Sequence, residues 1–251
     1  MEVRNIVCTL FFNRIEAPRN RINELEGSDL AEYFIVPFNA QPVPNDAPPV
    51  LPRITASSSD GCYDLIISQV NVQLIRKLKF DLDDTFEEKL QQVKEIMLKV
   101  YSNIKRIYNQ EMLYFGANCI IDIDDDNPVD KIKNKFIKGL NEGICEINLR
   151  YSSVEDEKYY NNIMVSNIKE YQIEIKIPKE QANKPTNIFI DTLSTSNMKE
   201  AKHIIQLSVD VNDRYAYNLA NEYRTNEDEI NNVFNKVNLT VKTKINEFIG
   251  E

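Results

Sequence analysis

A chain of 251 residues, 42% hydrophobic and 27% charged, carries enough apolar surface for one sizeable core, or for two small lobes that share one. Thirty lysines and arginines against 39 aspartates and glutamates leave a net charge of −9, which argues against a general nucleic-acid or anionic-membrane binder, because such proteins need positive surface to displace counterions. No apolar run reaches the roughly 20 residues that span a bilayer, and the N-terminus lacks the basic segment, long apolar segment and cleavage site of a signal peptide, so a cytoplasmic protein is expected.

In chain order, residues 3–12 read as a strand. Residues 42–53, PVPNDAPPVLPR, then place five of the ten prolines within eleven positions. Proline alternating with small residues favours extended polyproline geometry and removes the N–H groups a sheet ladder needs. The apolar flanks FIVPF and VLPRI suit a stiff strap, about 37–53, running from the first strand to the sheet that begins near Cys62. Two other readings stay open: a PxxP ligand at Pro49–Pro52 with a misplaced basic anchor, and a strap that presents a protein-binding face with Arg53 as its charged reach.

A strand is expected over 62–80 and a long helix over 85–108, where Phe86, Leu90, Val93, Met97, Val100, Ile104 and Tyr108 recur at steps of three and four. Thr85 and Glu88 form a capping box. After a strand at 112–123, Asn127 and Pro128 open a shorter helix over 128–140. Cys145, Ile147, Leu149 and Tyr151 alternate with Glu146, Asn148 and Arg150. Ile173, Ile175 and Ile177 alternate with Gln172, Glu174 and Lys176, and Ile205, Leu207, Val209 and Val211 with Gln206, Ser208 and Asp210. Period two means sheet with one covered and one wet face. The last helix, 226–249, carries Ile230, Phe234, Val237, Val241, Ile245 and Phe248 in its stripe, with Thr225 and Asp228 at its start.

These patterns predict an α+β fold: antiparallel sheet in two halves, each packed with one long amphipathic helix. The division expected is 1–125, including the strap, and 126–251 packed on it. A strand precedes each long helix, which raises an internal duplication.

The proline segment, the strand with SQVNVQL, the helix leading to LYFGANCIIDI, and the closing LSVDVND with a helix ending NEFIG together resemble a sporadically distributed family of uncharacterised bacterial proteins of about this length. The family's arginine–tyrosine element before its central strand has no counterpart between Glu111 and Gly116. The resemblance implies the same order of elements and a bacterial origin, and brings no catalytic residues.

Searching for chemistry yields mostly exclusions. Asp122, Asp124, Asp125 and Asp126 end a strand, where they either favour the start of the 128–140 helix or hold Mg²⁺ through carboxylate oxygens. As an EF-hand the run fails, with Asn127 where glycine and Lys133 where glutamate belong. Glu174 and Lys176, with Glu155 or Asp156 upstream, have the E-x-K spacing of restriction-type nucleases, and equally that of any polar strand face. His203 is the single histidine and no GxSxG elbow exists; no glycine pair has Rossmann or P-loop spacing. Cys8, Cys62, Cys119 and Cys145 form no CxxC pair. Tyrosines crowd the second half, and Tyr151, Tyr159, Tyr160, Tyr215 and Tyr217 are either ordinary strand residues or interface anchors. The leading expectation is a non-enzymatic module that binds a protein partner, without cofactor or membrane, of open oligomeric state that allows a homodimer, in an accessory or defence-type locus. The alternative is a metal-dependent enzyme on nucleotides or nucleic acid, using Asp122, Asp124 and Asp126 with Mg²⁺.

Overall fold

The computed structural model describes residues 1–77, 84–137, 143–173 and 198–249. Glu174 and Lys176, and the end of the 128–140 helix, lie outside them. The first strand is β1 (Glu2–Phe12), followed by a short helix α1 (Ile22–Glu26). Then come β2 (Asn39–Ala40), β3 (Ile54–Ser57), β4 (Tyr63–Ile67), β5 (Asn71–Lys77) and the long helix α2 (Phe86–Tyr108). The second part runs β6 (Met112–Asp124), α3 (Pro128–Phe136), β7 (Asn148–Glu155), β8 (Tyr159–Ile173), β9 (Met198–Asn212), α4 (Arg214–Leu219) and α5 (Glu227–Ile249).

Among the described residues the strands form one large antiparallel sheet of order β2-β3-β4-β5-β1-β6-β9-β8-β7. Register follows the alternation in the sequence. Opposite Cys8 stand Leu74 on one side and Ala117 on the other, and opposite Cys119 stands Val209. All five are buried on the face that the helices cover. The long helix α2 lies on β1 and β5, α5 on β6 and β9, and the two helices touch. Phe234 of α5 sets its ring 5.6 Å from that of Phe115 on β6. The fold is thus α+β, a single helical layer on a single sheet.

The helix ends show why they stop where they do. Thr85 accepts from the Glu88 N–H while the Glu88 carboxylate accepts from Thr85 N–H, closing the expected capping box. Asn109 ends α2 in the left-handed conformation at φ 51°. At α5 the cap is Asn226, whose Oδ1 accepts from the Glu229 N–H, rather than Thr225. Asn127 precedes α3 but makes no cap; its amide donates to Asp130 instead.

Three further expectations are corrected. The run 62–80 is a hairpin, since Ser68 folds onto Asn71: its Oγ accepts from the Val70 and Asn71 N–H groups and breaks the strand at 68–70. Cys145 is exposed ahead of β7. The proline segment is not extended: it makes two turns, with Ala47 N–H donating to Pro44 O (3.2 Å) and Leu51 N–H to Pro48 O (3.1 Å). Pro49 at the second position of the latter turn supplies its φ. Fastening to the sheet remains, through Gln41 N–H to Arg53 O and Gln69 N–H to Pro49 O.

Candidate functional site on the open sheet face

The side chains that alternate with the core point to the sheet's other face, away from α2 and α5; the short helix α4 borders it through Arg214, Tyr215 and Tyr217. Near the centre of the sheet this face is rich in amides and hydroxyls. Asn118 donates to Ser208 Oγ (3.1 Å), Asn162 and Asn212 donate to Asp210 Oδ2 (2.8 and 3.2 Å), and Ser152 donates to Asn162 Oδ1 (2.7 Å).

Two hollows open here and share a wall made by Asp210, Asn212 and Arg214. The first, of about 240 Å³, has Gly116 on its floor and an aromatic side built by Phe11 and Tyr114. These rings stack with centroids 4.2 Å apart, because Phe11 and Tyr114 are direct cross-strand partners of β1 and β6. Tyr217 of α4 leans on Tyr114 at 5.2 Å, and the Arg214 guanidinium lies 5.7 Å from the Tyr114 ring centre. The second hollow, of about 410 Å³, is polar: Arg150 and Ser152 come from β7, Tyr160 and Asn162 from β8. Tyr160 meets Tyr215 edge to face at 5.2 Å.

Burial pushes the Asp210 carboxyl above the ordinary aspartate range, against the two amide hydrogen bonds and the Arg150 charge, which pull the other way. Burial likewise raises the Tyr114 hydroxyl, opposed by Arg214. Arg150 and Arg214 are both exposed, and neither makes an ion pair among the described residues. Neither hollow is lined by a histidine or a cysteine. Cys8 and Cys119 are buried in the core, where desolvation raises both thiols, Cys119 to about 12. The hollows thus present stacked rings, amide hydrogen bonds and guanidinium groups.

The residues singled out from sequence scatter. Tyr160, Tyr215 and Tyr217 gather at the hollows. Tyr159 does not: it is buried on the helix side, its hydroxyl donating to Glu229 Oε2 (2.5 Å), so it cannot face a partner. Tyr151 sits on that side too, 37% exposed, with Phe136 at 6.5 Å and the Lys244 ammonium 5.7 Å from its ring centre. Arg53 is the opposite of a charged reach. It is 0% exposed, donating to the carbonyls of Leu51 (3.0 Å) and Ala47 (3.0 Å) and to Gln69 Oε1 (3.3 Å). A guanidinium presents five donors, and the proline turns supply carbonyls freed from any ladder, so the charge is turned inward.

The aspartates disperse as well. Asp122 is buried on β6, accepting from Arg4 Nε (2.7 Å) and Gln206 Nε2 (3.0 Å), while Arg4 also reaches Glu170. Asp124 is 60% exposed and pairs with Lys202, and Asp126 is exposed beyond the strand end. No group of three or more His, Cys, Asp or Glu side chains placed to hold a metal occurs among the described residues. His203 stands at the same end, its Nδ1 3.3 Å from the Asp126 carbonyl.

Sequence reasoning missed Phe11, Tyr114 and Arg214 as site residues. Alternation alone sets Phe11 and Tyr114 on the wet face, but only the β1–β6 pairing stacks them. No family model, curated protein or solved structure matches this chain.

Proposed function

We propose that this chain is a non-enzymatic, intracellular bacterial module whose open sheet face binds a protein partner. One observation carries the reading: paired aromatic rings and two arginines without ion pairs among the described residues line adjoining hollows on the face opposite α2 and α5. Aromatic and arginine side chains supply most of the energy at protein interfaces, through large rigid area and directional donors. In a chain of net charge −9, two exposed guanidinium groups lining one hollow are conspicuous. The resemblance to sporadically distributed bacterial proteins supports placing the partner in an accessory or defence-type locus.

A photo-cross-linking amino acid at Tyr217, compared with one at Gln91 on the exposed side of α2, tests the reading in a bacterial host. A discrete protein adduct from position 217 and none from position 91 is expected. Adducts from both alike, or from neither, would remove the proposal.

We also infer an internal duplication of two packed units, with the boundary between α2 and β6 rather than at the 125/126 division that the sequence suggested, so that β6 opens the second unit. The order of elements supports it. In the first unit β1 pairs with β5, β5 with β4 and β4 with β3, and α2 follows; in the second β6 pairs with β9, β9 with β8 and β8 with β7, and α5 follows. Each unit carries its insertion, α1 with β2 or α3, between its first strand and the next. Superposing the units strand for strand checks the inference, which fails if the matched strands and helices do not overlie.

A further inference from the structure

The two hollows differ in character while sharing a wall, and this narrows what kind of segment fits. The first offers apolar area: Phe11 stacked on Tyr114, with Val7 beside them and no side chain rising from Gly116. The second offers donors: the guanidinium groups of Arg150 and Arg214, both exposed and without an ion pair among the described residues. In an extended peptide, side chains two residues apart fall on the same side, about 7 Å from one another. Adjoining apolar and cationic hollows therefore match an apolar and an acidic side chain at positions i and i+2.

Resting on the proposed partner-binding role of this face, we infer that the occupant is an extended acidic segment, with a carboxylate held between Arg150 and Arg214 and an aromatic or large apolar side chain seated against Phe11 and Tyr114. Arginine suits this because its planar fork matches a carboxylate in two parallel hydrogen bonds. The acid within the shared wall, Asp210, turns its Oδ2 to the amides of Asn162 and Asn212, and the two guanidinium groups lining the same hollow outnumber its single charge. Nucleic acid is the poorer match, since phosphate tracking needs a row of cations and the chain carries nine negative charges in excess.

Fluorescence anisotropy with labelled peptides of repeating Glu-Ser-Phe-Ser, Gln-Ser-Phe-Ser and Lys-Ser-Phe-Ser, and with a single-stranded oligothymidine, tests this on the full chain. The glutamate peptide is expected to bind about tenfold tighter than the glutamine one, as one or two charge-assisted hydrogen bonds would give. Arg150→Ala and Arg214→Ala should each weaken it by about tenfold, and Arg214→Glu should turn the preference toward the lysine peptide. Tyr114→Ala should weaken glutamate and glutamine peptides alike. Circular dichroism melts of the arginine variants, expected to match the parent, separate binding from folding. Equal binding of glutamate and glutamine peptides, still lost in Tyr114→Ala, would overturn the acidic class and leave the binding face standing. No peptide binding at all, or oligothymidine binding tighter than every peptide, would overturn both.

Discussion

Asp213 closes the end of β6 from across the sheet: its Oδ1 accepts from the backbone N–H of Phe115 at 2.6 Å, and its own N–H donates to the Phe115 carbonyl at 3.1 Å. The second carboxylate oxygen accepts from the Tyr223 hydroxyl at 2.7 Å, and Asp213 is fully buried. One side chain thus ties the core strand to the segment that leads into α5. Asp213→Ala leaves a buried N–H and a phenol without this acceptor and should cost about 2–4 kcal/mol in urea unfolding. Burial raises the Asp213 carboxyl above its ordinary range. The folded state then holds a proton that the unfolded chain, titrating near 4, has released, so this group's contribution falls as pH rises from about 4 through the raised value. Comparison with Asp213→Asn across that window isolates it: the stability difference should move in the variant's favour as pH rises, and a flat difference would contradict the assignment.

Arg53 should behave as a structural cross-brace. Its guanidinium collects two strap carbonyls and Gln69 at 3.0–3.3 Å with no exposed surface. Arg53→Lys retains the charge but loses the fork, and should cost about 2–3 kcal/mol; Arg53→Ala should cost more, by leaving several buried carbonyls without donors. Limited proteolysis reports where the loss is felt, with new cleavage expected within 37–53 ahead of the helices. A variant as stable and as resistant as the parent would show that the strap holds without it.

What was legible in the sequence follows the range of the forces involved. The stripe of α2 and its Thr85–Glu88 capping box are local, and they stand as read. The alternation of Leu207, Val209 and Val211 with Ser208 and Asp210 gives the covered and open faces of β9 correctly, since side chains alternate whatever the neighbours are. Strand pairing is not local. Phe11 and Tyr114 meet only because β1 and β6 are neighbours, 103 positions apart in their pairing. The inward turn of Tyr159 depends on α5 bringing Glu229 over it, and that of Arg53 on carbonyls that two turns present. Charge and aromaticity set a prior for exposure; Glu229, 70 positions away, reverses it for Tyr159, and the carbonyls of Ala47 and Leu51, gathered by the turns, reverse it for Arg53.

Asp122 offers a direct check on the acidic run. With Arg4 at 2.7 Å and Gln206 at 3.0 Å the carboxylate is committed to β1 and β9. Asp122→Asn should destabilise the fold by about 1–2 kcal/mol, because Arg4 keeps Glu170 and stays partly exposed, which limits the loss. Asp124→Ala, removing a 60% exposed partner of Lys202, should change stability by less than about 1 kcal/mol. Calorimetry with Mg²⁺ or Mn²⁺ is the discriminating measurement. Micromolar heat abolished in Asp124→Ala would revive the metal-dependent reading, and no such heat is expected.

Gly116 links the fold to the site most tightly. It lies on the floor of the apolar hollow, opposite Asn212 in the β6–β9 register, and a β-carbon there would stand 3.0 Å from the Asn212 β-carbon. That spacing is too close between two strands, so Gly116→Ala must part β6 from β9 or push Asn212 aside, at a cost of about 1–3 kcal/mol. Asn212 also donates to Asp210 and forms the wall between the hollows, so the disturbance reaches the polar hollow as well. Asn212→Ala cannot relieve the clash, since its β-carbon remains. Asn212→Gly removes it, and the double variant Gly116→Ala with Asn212→Gly should recover part of the lost stability while leaving Asp210 with one amide donor. A double-mutant cycle by urea unfolding measures the coupling, which should exceed about 0.5 kcal/mol for residues in such contact. Additive effects would mean that the strands accommodate the methyl group independently of Asn212, and that the bare floor at 116 is not imposed by its neighbour.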